Sequence, residues 1–287
     1  MPTRGQAGAA SGSHRYLIVN ADDFGYFPCV SQGIIEAARA GVVTATSVMA
    51  NRPHVDMDSA ALAQLTSLDV GVHLNLTAGE PLTEPLRNRF GPAGFPGKLW
   101  WALRSAGTGR LLRDVADELR AQITACARLG LRVCFLNSHE HVHMLPRLLP
   151  MVHELAEEFR IAFVRDSRPD RLFAARPSAF LRNTLLQALS VYHHSTFAQS
   201  PMPRMLGMSA SGKLDLDHLK AITAKLKPGM PAELMCHPGL CSSGDVGDPR
   251  LNAYHAWTLE YATLTGDAFA ELLHSERIEL VGFSHFA

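Results

Sequence analysis

The sequence is short of charge, of long apolar runs and of paired cysteines. Only 19% of its 287 residues are charged, and 27 basic against 27 acidic side chains leave a formal net charge of zero. No basic run or stripe stands out, which argues against a nucleic-acid partner. No apolar stretch reaches the roughly 18–20 residues that cross a bilayer, so no membrane span is expected. The opening MPTRGQAGAASGSH has no apolar core segment. It reads as a flexible tail over 1–14 and not as a secretory signal. The five cysteines (Cys29, Cys126, Cys134, Cys236 and Cys241) are odd in number and scattered. That suits a reducing compartment better than a disulfide framework, so a cytoplasmic protein is expected.

A hydrophobic fraction of 47% and a length of 287 residues are enough for a large buried core. Strand and helix signals alternate along it. Strands are expected at Tyr16–Ala21, Val42–Met49, Asp69–Leu76, Arg132–Asn137, Ile161–Arg165, Ala232–Cys236 and Ile278–Phe283. Helices are expected between them, among them Val30–Ala40 stopped by Gly41, Leu111–Leu129 stopped by Gly130, and a C-terminal helix over Asn252–Leu273. Such alternation gives parallel strands with crossover helices. The polar candidates fall at the C-terminal ends of these strands, where a closed barrel gathers its active-site groups on one rim. The expected fold is therefore α/β, a single distorted (β/α) barrel of about seven parallel strands over 15–287. Thr83–Thr108, rich in Gly and Pro and holding Trp100 and Trp101, reads as a long inserted loop over the rim.

Three separated clusters carry metal-type ligands: Asp22-Asp23 in LIVNADDFG, His73 in VGVHLNLT, and His139, His141 and His143 in CFLNSHEHVHMLP. Adjacent carboxylates repel unless a proton or cation compensates them. On an extended chain they point opposite ways, so one can bind metal while the other acts as a base. His73 alternates with Val70, Val72, Leu74 and Leu76, and so faces away from the aliphatics. As an extended segment, Ser138–His143 would put its three histidines on one face. As a helix it would match H-E-x-x-H, the zinc-peptidase pattern, but Pro146 follows too closely for that helix to run on. His237 ends a strand and could protonate a leaving group. Arg165 could orient a carbonyl or a sugar hydroxyl, and the Trp100-Trp101 pair could stack on a sugar or pack the insertion. His193-His194 reads as loop.

Taken together, NADDFG (20–25), GIIEAARAGVVTATSVMAN (33–51), GVHLNLTAGEPL (71–82), NSHEHVHMLP (137–146) and ELMCHPG (233–239) resemble the YdjC-like family of carbohydrate deacetylases. The resemblance implies a barrel related to the NodB-type polysaccharide deacetylases. It implies removal of acetyl from an N-acetylated amino sugar, with one divalent metal ion, Mg2+ or Zn2+. Asp23, His73 and His139 would be its ligands, Asp22 the general base and His237 the general acid. His141 and His143 would contact substrate or steady the ligands. A homodimer is also a reasonable expectation from the family. The competing readings are a zinc peptidase, with Glu140 as its base, and a non-catalytic sugar-binding barrel.

Overall fold

The computed structural model describes residues 14–104, 109–170, 177–197 and 203–287. Apart from His14, the expected tail lies outside them. Eight parallel strands form one sheet: β1 (Arg15–Phe24), β2 (Ala45–Val48), β3 (Asp69–Leu74), β4 (Val133–Ser138), β5 (Phe163–Val164), β6 (Arg204–Leu206), β7 (Ala232–Cys236) and β8 (Ile278–Leu280). Their order is β5-β4-β3-β2-β1-β7-β6, and β8 pairs with the start of β1. The sheet curls into an incomplete barrel whose edge strands, β5 and β6, do not pair with each other. β6 has no counterpart in the sequence reading.

Side chains alternate across the sheet. The outward set, such as Leu17, Val19 and Ala21 of β1, joins the large apolar core beneath the helices. The inward set splits into two layers. Ile18, Ala45, Phe135 and Phe163 form a small separate cluster with Val281 and Phe283 from the C-terminal segment. Phe283 stacks on Phe135 at 4.3 Å between ring centroids and so plugs one end of the curl. Above this floor the inward residues turn polar: Asn20, Asp22, Ser47, His73, Asn137, Arg165 and Glu233, all buried.

Four local expectations are corrected. The segment after Thr83 is not a bare loop. It holds helices Glu84–Phe90 and Lys98–Arg104. Buried Glu118, on the long helix Gly109–Arg128, accepts from the backbone N–H of Leu82 and Thr83 and from the Thr83 hydroxyl, which fixes where the insertion begins. Trp101 Nε1 donates to the Leu76 carbonyl and ties the insertion to the end of β3. The expected C-terminal helix is three helices, Pro249–Tyr254, Trp257–Thr265 and Asp267–Ser275. His194 opens a short helix, His194–Phe197, in place of a loop.

The fourth correction concerns cysteine. Cys29 and Cys241, 212 positions apart, are joined by a disulfide. Scatter along the chain hid a pair that the fold brings together. Helix Pro28–Arg39 and the segment after β7 touch backbone to backbone, because a Cβ on Gly33 would collide with Gly239. The Leu240 N–H donates to the Cys29 carbonyl at the same contact.

If Phe283 is the plug, Phe283→Ala lowers the unfolding free energy by about 3–5 kcal/mol. Urea denaturation measures it, and a loss under about 1 kcal/mol would remove the plug from the account.

Candidate active site and metal centre

Strand register assembles the rim. Ala21 pairs with Cys236, so the next residues, Asp22 and His237, emerge side by side from β1 and β7. His73 pairs with Asn137 and Leu74 with Ser138, so His139 follows directly beyond the end of β3. β1 carries a register shift between Ala21 and Phe24, and Asp23 adopts a left-handed φ of 72°. The strict up-and-down alternation expected for the two aspartates therefore breaks. Both carboxylates are buried at the rim, with different direct partners.

Asp23 meets the imidazoles. Its Oδ1 lies 2.9 Å from His139 Nδ1 and 3.2 Å from His73 Nε2. One atom from each of the three residues lies within 4.8 Å of the others. Burial by itself would raise the Asp23 pKa, but His139 and His73 together hold it well below the usual carboxylate value. The remaining nitrogen of His73, Nδ1, is 2.7 Å from Asn137 Oδ1. Asn137 Oδ1 thereby accepts the His73 Nδ1–H bond, which leaves the Nε2 lone pair directed toward Asp23, as a metal-ligating imidazole requires.

Asp22 is held by different groups. Ser47 Oγ and Asn137 Nδ2 each donate to its Oδ1 at 2.9 Å. Arg165 grips both carboxylate oxygens, Nη1 to Oδ2 at 2.6 Å and Nη2 to Oδ1 at 2.9 Å. Burial opposes ionisation here too, yet the Arg165 guanidinium and the surrounding imidazoles keep the pKa far below its ordinary value. Arg165 is itself 1% exposed and also bonds buried Glu233. It lies under the rim with its donors spent on two carboxylates, and not open toward a substrate.

These residues fit a divalent cation. Asp22, Asp23 and Glu233 are buried against a single guanidinium. The excess of two negative charges matches one M2+ ion between Asp23, His73 and His139. Two imidazole nitrogens and one carboxylate suit zinc and similar borderline metals better than magnesium.

The other histidines do not converge on that point. Segment His139–Met144 is a 3-10 turn interrupted by left-handed Glu140 (φ 52°) and His141 (φ 57°). It is neither the extended strand that would align the three histidines nor the α-helix of a zinc peptidase. His143 bonds Ser138 Oγ at 2.6 Å and the Arg165 carbonyl at 2.8 Å. Burial, followed by nearby positive groups, pushes its pKa to about 3. It is a neutral brace beneath the site. His141 lies against Ser167 Oγ at 2.9 Å. Glu140 forms an ion pair with Lys98 of the insertion at 2.6 Å. Trp101 is 1% exposed and has no open face for a sugar, while half-buried Trp100 packs edge-on against Phe90 at 5.4 Å.

Residues 16–275 match the model of the YdjC-like protein family. The chain belongs to that family. It is 30% identical over 281 residues to a carbohydrate deacetylase of Geobacillus stearothermophilus, covering 95% of this chain and 98% of that one. It is 35% identical over 244 residues to a chitooligosaccharide deacetylase of Klebsiella pneumoniae, covering 83% and 88%. A crystal structure from Enterococcus faecalis, named for cellobiose-phosphate cleavage, superposes with a TM-score of 0.67 at 25% identity over 96% of this chain and all of that one.

Several groups of this YdjC-like site escaped the sequence reading. Ser47, Asn137 and Glu233 lie inside the motifs already singled out but are masked by the aspartates and histidines beside them. Glu233, an acid between apolar neighbours in a five-residue buried strand, was the one visible signal. Glu260, 1% exposed, accepts from the His237 backbone N–H, with its carboxylate 3.9 Å from His237 Nδ1. Tyr26 sets its ring 5.1 Å from that of His139 at the mouth.

Asp23→Ala and His139→Ala are expected to lose bound metal, whereas Asp22→Asn keeps it. Metal analysis of the purified variants reads this directly. Full occupancy in His139→Ala would refute the ligand set.

Proposed function

We propose that this chain is a metal-dependent hydrolase that removes the N-acetyl group from an N-acetylated amino sugar, an oligosaccharide or a glycoconjugate, and releases acetate. The observation that carries the reading is the adjacency of Asp22 and His237 at the rim, beside the Asp23–His73–His139 cluster. A bound divalent cation would supply Lewis acidity toward the acetamide carbonyl. Asp22 is the ionised carboxylate beside the cluster and is assigned to take the proton of the attacking water; the Arg165 grip that keeps it ionised also lowers its basicity, which its position has to offset. His237, on the neighbouring strand, delivers a proton to the departing amine. Its backbone is fixed by Glu260, and its Nδ1 makes no hydrogen bond among the described residues. Asn137 bonds both Asp22 and His73, so base and ligand are positioned by one amide.

The names of the relatives support the substrate class. The peptidase reading loses its basis, because Glu140 lies in a left-handed turn and is paired with Lys98. Among the described residues no helix is long and apolar enough to cross a membrane. The Cys29–Cys241 bond counts against a reducing compartment, the ground on which a cytoplasmic location was expected.

The test is acetate release from N-acetylated sugars of increasing length, with and without chelator. Chelation is expected to abolish release and added Zn2+ or Mg2+ to restore it. Asp22→Asn and His237→Gln should each lower kcat about 10²- to 10⁴-fold. Glu140→Gln should leave most of the activity. Sugar binding without any acetate release would favour a non-catalytic barrel.

A further inference from the structure

The Cys29–Cys241 disulfide lies on the rim itself. β1 ends at Phe24, and Cys29 follows as the second residue of helix Pro28–Arg39. β7 ends at Cys236, and Cys241 comes shortly after His237. The bond therefore joins the segment that leaves the two aspartates to the segment that leaves His237. On the Cys29 side, Phe27 packs on Tyr26 at 4.5 Å, and Tyr26 reaches the His139 ring. On the Cys241 side, the Gly239 N–H donates to the Trp257 carbonyl at 3.1 Å and the Leu240 N–H to the Cys29 carbonyl at 2.9 Å.

Four observations distinguish this bond from an inert staple. The first is access. Cys29 is 8% exposed, but Cys241 is half-buried and lines, with 242–244, an open depression of about 340 Å3. The second is the leaving group. Attack at Cys241 expels Cys29 as a thiolate in the first turn of its helix, which holds no acidic residue and no side-chain cap, so the helix dipole favours the anion. The third is the lack of competing thiols. Burial pushes Cys126 and Cys134 up to about 12 and Cys236 well above the usual thiol range, so all three stay protonated and unreactive. The fourth is that the contact does not depend on sulfur alone. Gly33 packs against Gly239 too closely for a Cβ, and the Leu240–Cys29 backbone bond lies at the same point. Opened, the two cysteines remain neighbours and can pair again.

We propose that the Cys29–Cys241 bond is a reversible redox latch on the rim: closed, it holds the segment after His237 against the turn after Asp23, and opened by a dithiol it loosens both and slows the reaction. A thiolate of the dithiol bonds to Cys241 Sγ, the Cys29–Cys241 bond breaks, and its electron pair leaves on Cys29. The second thiol of the reagent then displaces Cys241. The protein gains two electrons and two protons as two thiols, and the dithiol becomes a disulfide. Two thiols need van der Waals spacing where one bond stood, so 238–241 must give way at a contact with no slack. The effect on rate rests on the deacetylase reading above; the latch itself does not.

The test reduces the wild-type protein with dithiothreitol, removes the reagent without air and reloads the metal. Labelling should then find five free thiols in place of three. At equal metal content, kcat for acetate release from N,N′-diacetylchitobiose should fall about tenfold and recover on reoxidation. Cys29→Ser and Cys241→Ser should hold the reduced rate whatever the redox conditions. An unchanged kcat with five free thiols would overturn the latch. So would loss of the far-ultraviolet circular dichroism on reduction, because the bond would then hold up the fold and not the rim. Hydrogen exchange reads the latch without turnover. The Gly239 and Leu240 amides should exchange about tenfold faster once reduced, with β1 and β7 unchanged. If neither form releases acetate, the deacetylase reading falls and exchange still decides the latch: equal protection in the two forms would sink it.

Discussion

Two carboxylates on consecutive residues have to remain ionised in a buried rim, and the surrounding structure answers their repulsion. The solution is to give each its own counter-charge. Asp22 faces the Arg165 guanidinium and three neutral donors, Ser47, Asn137 and Asn20. Asp23 faces two imidazoles and the position suited to a cation. The left-handed backbone at Asp23 makes this division possible, since a regular strand would have sent the two side chains to opposite faces of the sheet. A non-glycine residue in that region is strained by of order 1–3 kcal/mol, and such strain tends to survive where function requires it. Removing Arg165 would leave Asp22 and Glu233 as uncompensated buried charges, the costly way to break such an arrangement.

The polar layer depends in turn on the apolar floor beneath it. Inward positions of β1 run Ile18, Asn20, Asp22, and those of β5 run from Phe163 to Arg165 just past its end. Each strand thus passes from the Phe283 plug to the charged layer within two or three inward residues. Water is excluded from below by Phe135, Phe163 and Phe283, so the ion pairs of the layer act in a low dielectric and are strong there. Because the sheet is parallel, every strand delivers its last inward residue to the same rim, and register alone sets which side chains are neighbours.

Much of this was legible in the sequence. Apolar runs ending in Asp, His or Arg gave the strands, their shared direction and the rim, because a two-residue period and a change from apolar to polar are local signals. The three ligand-bearing segments were legible for the same reason, while the choice of Asp23, His73 and His139 among their residues came from the family resemblance. What failed was of two kinds. The His139–Met144 segment has strand-like alternation, but Glu140 and His141 are turned left-handed by their surroundings, which no pattern of residue types encodes. Arg165 and the Cys29–Cys241 pair took their roles from partners 143 and 212 positions away. An arginine at a strand end looks the same whether it faces substrate or a buried aspartate. Glu260 and His255 came from a stretch read as one continuous helix, and the break between Tyr254 and Trp257 is what turns them toward His237.

The abundance of histidine then resolves into distinct environments for one side chain. At His139 the pull of Asp23 outweighs burial and raises the pKa, so the carboxylate favours positive charge at that point. At His143 and His255 burial dominates and both rings stay neutral, one bracing the Arg165 carbonyl and the other stacked on Trp257. His141 is driven the same way by burial and by the Arg165 charge. Arg165 therefore does more than fix Asp22. By disfavouring protonation of His141 and His143 behind the rim, it leaves positive charge to the Asp23 side, where a cation would sit and a developing oxyanion would be met.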